Sequence, residues 1–214
     1  DEKKAHYAIH FPKDRNELAQ ARKRIIFDEF FLFTTNIRCA KSARLNEDNL
    51  YRITESGEAL RVLKNLPYSL TGAQKKVYSE ILNDMGSDKT MNRLIQGDVG
   101  SGKTILAFLA MINTAAAGWQ SILMAPTEVL ARQHYEALKE LIDKNRLDFT
   151  CVLLTGALTE AKKRDAKEKI TSGEADFIIG THALITDDVE FKNPALVITD
   201  EQHRFGVRQR ENLS

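Results

Sequence analysis

Residues 97–104 read Gly-Asp-Val-Gly-Ser-Gly-Lys-Thr, the full Gly-x-x-x-x-Gly-Lys-Thr pattern of a phosphate-binding loop. The flanks supply the context that pattern needs. Arg93-Leu94-Ile95-Gln96 is a short run of strand length, and Thr104 to Ala117 is rich in helix formers and stops at Gly118. Strand, glycine loop and helix in that order predict a nucleotide site. Gly97, Gly100 and Gly102 open backbone conformations that turn several N–H groups inward on phosphate oxygens, with Asp98, Val99 and Ser101 as the intervening loop members. The helix beginning near Lys103 adds its positive end. Lys103 brings a mobile charge to the β- and γ-phosphates, and the Thr104 hydroxyl is suited to Mg²⁺.

Further along, Ala195-Leu196-Val197-Ile198-Thr199 is a β-rich run that delivers Asp200-Glu201-Gln202-His203 at its carboxyl end. Ligands of open parallel sheets bind at that end of the strands, so both motifs converge on one crevice. Asp200 is suited to hold Mg²⁺ directly or through water. Glu201 is placed to orient and deprotonate a water attacking the γ-phosphate. From residue 66 on, strands are predicted near 93–96, 121–125, 150–154, 176–180 and 195–199. Helices are predicted near 71–85, 103–117, 127–144 and 159–172. Alternation of this kind predicts an α/β fold with a parallel sheet covered by helices on both faces. Thr71-x-x-Gln74 is a capping box, and Thr127 after Pro126 is an N-cap, so both have a structural reading of their own.

Charge is balanced, with 31 Lys and Arg against 30 Asp and Glu, net +1. No global field draws the chain to nucleic acid, so any such contact is local, through strand-end loops and helix N-termini. The basic run Lys162-Lys163-Arg164 alternates with Glu160, Asp165 and Glu168 and is a solvated helix face. Cys39 and Cys151 are far apart, without metal-ligand spacing, which suits a reducing cytosol and buried thiols. No run of membrane length and no signal peptide is present, so no membrane partner is expected.

Asp200 to Arg210, Asp-Glu-Gln-His-Arg-Phe-Gly-Val-Arg-Gln-Arg, resembles motif II of the RecG branched-DNA helicases of superfamily 2. Leu66 to Gln74 resembles their Leu-Pro-Phe-x-Leu-Thr-x-x-Gln motif, and Ala125 to His134 resembles motif Ia. Leu154-Thr155-Gly156 and Gly180-Thr181-His182-Ala183-Leu184 resemble the two short DNA-backbone motifs that follow. The resemblance covers about residues 8–213. His10-Phe11-Pro12, Leu18 to Arg24 and Phe27-Asp28-Glu29-Phe30-Phe31 are similar to the segment joining the RecG wedge domain to its motor.

The resemblance implies a RecA-like motor that hydrolyses ATP with Mg²⁺ to remodel branched or forked DNA, such as replication forks and Holliday junctions, in recombination and repair. Gln74 would contact the adenine edge. Thr127, Thr155, Gly156, Thr181 and His182 would meet DNA phosphates. Gln202 and His203 would sense the γ-phosphate and relay it to the DNA groove. Partners would be the remaining helicase domains of the same full-length protein, working in a bacterial-type cytoplasm at the nucleoid. The transcription-repair coupling translocase, whose motif II is similar, stays open, as do a small-molecule kinase with a phosphate loop and a non-catalytic ATP-dependent DNA-binding switch.

The expected division is residues 1–65, a mainly helical linker with the end of the wedge at its start, and 66–214, the first motor domain. Residues 14–35 form a loose helical stripe through Leu18, Ala21, Ile25, Phe30 and Phe33. Phe27 and Phe31 make that helix apolar on more than one side, as two packing surfaces would require. A second helix is expected around 55–64. With no initial methionine and an end soon after motif II, the sequence is expected to be a piece of a larger protein, nearly inactive alone for want of a second lobe. A strand inserted between 93–96 and 195–199 is expected to be missing, leaving those two about 10 Å apart.

Overall fold

A computed structural model describes residues 2–44, 48–186 and 188–201. Its contacts divide the chain into residues 1–49 and 50–214.

In the first unit, α1 (Glu2–His10) meets α2 (Arg15–Arg44) through a small cluster of Ala5, Ala8 and Ala21 flanked by Ile9 and Ile25. The short side chains let the two helices approach. Asp14 Oδ1 accepts from the Glu17 N–H at 2.7 Å, and Glu17 Oε2 accepts from Lys13 N–H at 2.8 Å, which sets the start of α2. The helix runs well past the expected residue 35, because residues 36–44 contain neither Gly nor Pro. Phe27, Phe30, Phe31 and Phe33 are each more than half exposed along it.

The second unit begins at Leu50, ahead of the boundary expected at residue 66, because α3 (Gly57–Asn65) buries Ala59 and Val62 in its core. Ser56 caps α3, accepting from Ala59 N–H. Its own N–H donates to Asn113 Oδ1 at 2.8 Å on α5 (Lys103–Ala116). The Asn113 amide in turn donates to the hydroxyl of Tyr78 at 3.0 Å on α4 (Gly72–Met85). Asn113 is 1% exposed, so these bonds link three helices inside the core.

Four strands follow in alternation with helices: β1 (Gln120–Met124), α6 (Glu128–Asn145), β2 (Cys151–Leu154), α7 (Glu160–Ser172), β3 (Phe177–Gly180) and β4 (Pro194–Thr199). They pair in the order β2-β3-β1-β4, all parallel, with Ile122 opposite Ile178 and Val197. Successive side chains of β1 and β3 enter opposite cores, as the pleat requires. Leu123, Phe177 and Ile179 join Leu109, Met111 and Leu138 on one face. Ile122 and Ile178 join Val152, Leu154 and Ile170 on the other. The expected parallel sheet with helices on both faces is therefore present.

Arg93–Gln96 is the exception. It was expected as a strand, yet it forms no ladder among the described residues, and Leu94 is 74% exposed. Its side chains dock it instead: Arg93 pairs with Glu80 at 2.7 Å and Asp84 at 2.6 Å, and Ile95 packs on the core. A strand exists by its partners, and no described strand lies beside this segment. No ladder joins the Leu94 and Val197 neighbourhoods.

The thiols differ in exposure, and Cys39 is not the buried thiol expected. Cys39 is exposed, whereas burial pushes the Cys151 thiol up to about 12. The thiolate is the nucleophile, and a shift of that size leaves roughly a thousandfold less of it near neutral pH. Alkylation of the native protein is expected to label Cys39 and spare Cys151, with both labelled in denaturant, as peptide mass spectrometry would read. Equal native labelling would contradict the packing of β2. No helix among the described residues is long and apolar enough to cross a membrane.

Candidate nucleotide site and adjoining loop face

The described motif residues sit on the loop that opens α5, in the first turn of α4, or at and just after the ends of β-strands of the sheet. Gly102, at φ 80°, is the N-cap of α5 and offers no side chain to its first N–H groups. Those donors stay directed at the loop, the arrangement an anion needs. A Cβ on Gly102 would collide with Gln74 Nε2. Lys103 folds back over the loop, its Nζ donating to Gly97 O at 2.6 Å and Asp98 O at 2.7 Å. Ser101 N–H donates to Asp98 O at 3.1 Å, closing the turn. Val99 stands fully exposed at its tip.

Gln74 uses both ends of its carboxamide. Oε1 accepts from Thr71 N–H at 2.8 Å in the capping box of α4, and Nε2 donates to Ser101 O at 2.9 Å. The box was legible in sequence; the bond to the phosphate loop was not. One amide hydrogen and one oxygen lone pair remain for a base edge.

Asp200 leaves the end of β4 with its N–H donating to Met124 O at 2.9 Å. Its Oδ2 lies 2.8 Å from His134 Nε2, and Oδ1 accepts from Glu201 N–H at 2.9 Å. An ionised carboxylate only accepts, so the His134 nitrogen facing it carries the proton. The His134 hydrogen bond holds the Asp200 carboxyl below the usual carboxylate range, assisted by the positive charge of Lys103. Glu201 takes φ 48°, a left-handed turn for a residue with a side chain. Gln202 and His203 lie outside the described residues.

The donor set fits Mg²⁺ with a nucleotide. Among the described residues no group of three His, Cys, Asp or Glu could hold a metal alone. A cation at Thr104 and Asp200 would therefore complete its shell with phosphate oxygens and water, the usual habit of Mg²⁺.

The loops after β1, β2 and β3 form a neighbouring face. Thr127 caps α6, accepting from Leu130 N–H at 3.3 Å. Glu128 Oε1 accepts from Ala157 N–H at 2.7 Å and lies against Gly156, tying the first loop to the second. Thr181 N–H donates to Leu154 O at 3.3 Å, tying the third to the second. A Cβ on Gly180 would strike that same carbonyl, so glycine is required there. His182 opens a short 3-10 turn and is exposed. Thr155 is 1% exposed, and its buried Oγ1 has no hydrogen-bond partner among the described residues.

In the sequence, His134 closes the segment Ala125 to His134 that resembles motif Ia. Its signal was a polar residue on the buried stripe Ala131, His134, Leu138 of α6, a pattern that a core histidine shares.

Comparison with known proteins agrees with this geometry. The family model described as DEAD/DEAH box helicase matches residues 71–214. The ATP-dependent DNA helicase RecG of Streptococcus pneumoniae is 50% identical over 207 residues, covering 96% of this chain and 30% of that protein. The RecG helicases of Thermotoga maritima and Bacillus subtilis are 46% and 45% identical, over 99% and 96% of this chain. A solved structure of RecG bound to a three-way DNA junction is similar with a TM-score of 0.80 and 44% identity. It covers 94% of this chain and 27% of the other. The chain thus spans about 30% of the curated relatives it matches.

Proposed function

We propose that this chain, which belongs to the DEAD/DEAH box helicase family, is the nucleotide-binding lobe of an ATP-driven motor that remodels branched DNA, preceded by a helical linker. The observation that supports this is the phosphate loop opening α5, with Lys103 folded over Gly97 O and Asp98 O and Gln74 bonded to Ser101 O, beside a face made by three strand-end loops.

Lys103 would leave its carbonyl partners for the β- and γ-phosphates, where its charge is worth more than over neutral oxygens. The N–H groups of the loop and of the first turn of α5 would hold the same phosphates. Thr104 and Asp200 would hold Mg²⁺, which when bound offsets the charge of the transferring phosphoryl group. Glu201, on its left-handed turn, would orient the attacking water and take its proton. Gln74 would spend its remaining donor and acceptor on adenine. The roles of Gln202 and His203 as γ-phosphate sensors rest on the resemblance of their motif.

On the neighbouring face, Thr127, Gly156, Thr181 and His182 would meet DNA phosphates without reading bases. The buried Thr155 would act through its backbone alone. Forked DNA, the further domains of the longer protein and a bacterial cytoplasm complete the reading.

ATP turnover by the full-length protein, with and without forked DNA, tests it. Stimulation by forks is expected. Turnover indifferent to any DNA would point to another phosphate-loop enzyme, and DNA binding without turnover to a switch. Thr127→Ala is expected to weaken DNA binding roughly tenfold, the worth of one bond to a charged group, and about equally on unrelated sequences. Thr155→Val should leave it unchanged. A sequence preference that shifts with Thr127→Ala would indicate base readout.

A further inference from the structure

His134 stands at a junction of three elements. It projects from α6, its ring meets Phe108 of α5 edge-on at 6.3 Å and 90°, and its Nε2 lies 2.8 Å from Asp200 Oδ2 at the end of β4. The His134 side chain is 12% exposed and that of Asp200 35%. The ring is thus clamped by the helix that opens at the phosphate loop, while its polar edge addresses the carboxylate. The first turn of the same α6 carries Thr127 and Glu128, and Glu128 is bonded to the loop after β2. From Glu128 to His134 is about 9 Å along one rigid helix.

We infer that His134 is a positioning residue, holding the Asp200 carboxylate in the orientation that meets the metal of the bound nucleotide and linking it mechanically to the loops at the start of α6. The inference rests on the proposed role of Asp200. A carboxylate with one oxygen taken by a fixed N–H, and the other by its neighbour's backbone, has little rotational freedom left. Such outer partners of metal carboxylates set ligand orientation, and their loss typically costs 10–100-fold in metal affinity. Because α6 is one piece from Thr127 to His134, a displacement of its first turn by a DNA phosphate is passed to Asp200 without any change in the phosphate loop.

Two substitutions separate the hydrogen bond from the packing. His134→Phe keeps an aromatic ring against Phe108 and removes the donor. His134→Gln loses the ring but sets an amide nitrogen at the same bond count from Cα. In the full-length protein, a fluorescent ADP analogue is titrated with Mg²⁺ to find the concentration that half-completes the metal-dependent tightening. His134→Phe is expected to raise that concentration about tenfold or more, with a thermal melt in the absence of nucleotide and metal close to wild type. His134→Gln is expected to stay near wild type in Mg²⁺ requirement. Saturating forked DNA is expected to shift the requirement in the wild type and not in His134→Phe. The inference is overturned if His134→Phe matches wild type, or if His134→Gln is as impaired as His134→Phe. Asp200→Asn separates the two levels. If it leaves the Mg²⁺ requirement unchanged, the reading of Asp200 fails and the inference with it. If it shifts the requirement and His134→Phe does not, the inference alone fails.

Discussion

Lys103→Ala in the full-length protein is expected to lower ATP turnover by about 10³ or more, with weaker nucleotide binding, whereas Glu201→Gln is expected to lose turnover at nearly unchanged affinity. The lysine sits over Gly97 O and Asp98 O, with its charge also felt at Asp200. Removing it takes away a charge that would meet both bound and reacting phosphates. A single preorganised donor at developing charge is worth 10²–10³, and a full charge in a partly enclosed site more. Glu201→Gln preserves size and the left-handed turn. An amide cannot accept the proton of the attacking water, so the loss falls on kcat, in the 10²–10⁴ range of general-base catalysis. Nucleotide binding by fluorescence and turnover by phosphate release separate the two variants. Equal loss of affinity in both would contradict their distinct roles.

The largest stability effect is expected at Gln120, far from that chemistry. The side chain is 2% exposed at the start of β1. Its amide donates to Ile170 O at 3.0 Å and Ala175 O at 2.9 Å, and its Oε1 accepts from Lys192 N–H at 3.0 Å and Asn193 N–H at 3.3 Å. One carboxamide thereby satisfies the end of α7, the approach to β3 and the approach to β4. Gln120→Leu keeps the volume and removes this partner from all four backbone groups, of which Ile170 O keeps its bond from Gly173 N–H at 3.2 Å. At 1–3 kcal/mol for each buried group left unmade, and allowing for water reaching the half-exposed ones, the loss is about 3 kcal/mol or more. For a domain of this size that is a fall in Tm of roughly 10 °C. A change below about 1 kcal/mol in a denaturant titration would show that water replaces the side chain at no cost.

What the chain announced in its own order was local. Thr71-x-x-Gln74, Thr127 and Gly118 mark helix ends because capping is settled within one turn. Those elements lie within a residue or two of their expected bounds. The phosphate loop was legible for the same reason, since its N–H groups belong to eight consecutive residues. The apolar runs of β1 and β3 were legible because a strand buried on both faces has no polar side to show. The tertiary structure decided whatever depends on residues distant in sequence. Arg93–Gln96 has the composition of a strand but no ladder, and pairing cannot be read from one segment. The second unit starts at Leu50 because α3 finds its partner in α5, a contact carried by Ser56 and Asn113 across 57 positions. Thr155 has the residue type of a phosphate contact, yet folding buried its hydroxyl. His134 and Asp200 are 66 residues apart and meet at 2.8 Å only because the fold brings a side chain of α6 to the carboxyl end of β4. A helix face shows in its own sequence which side is apolar, but not which carboxylate it will meet.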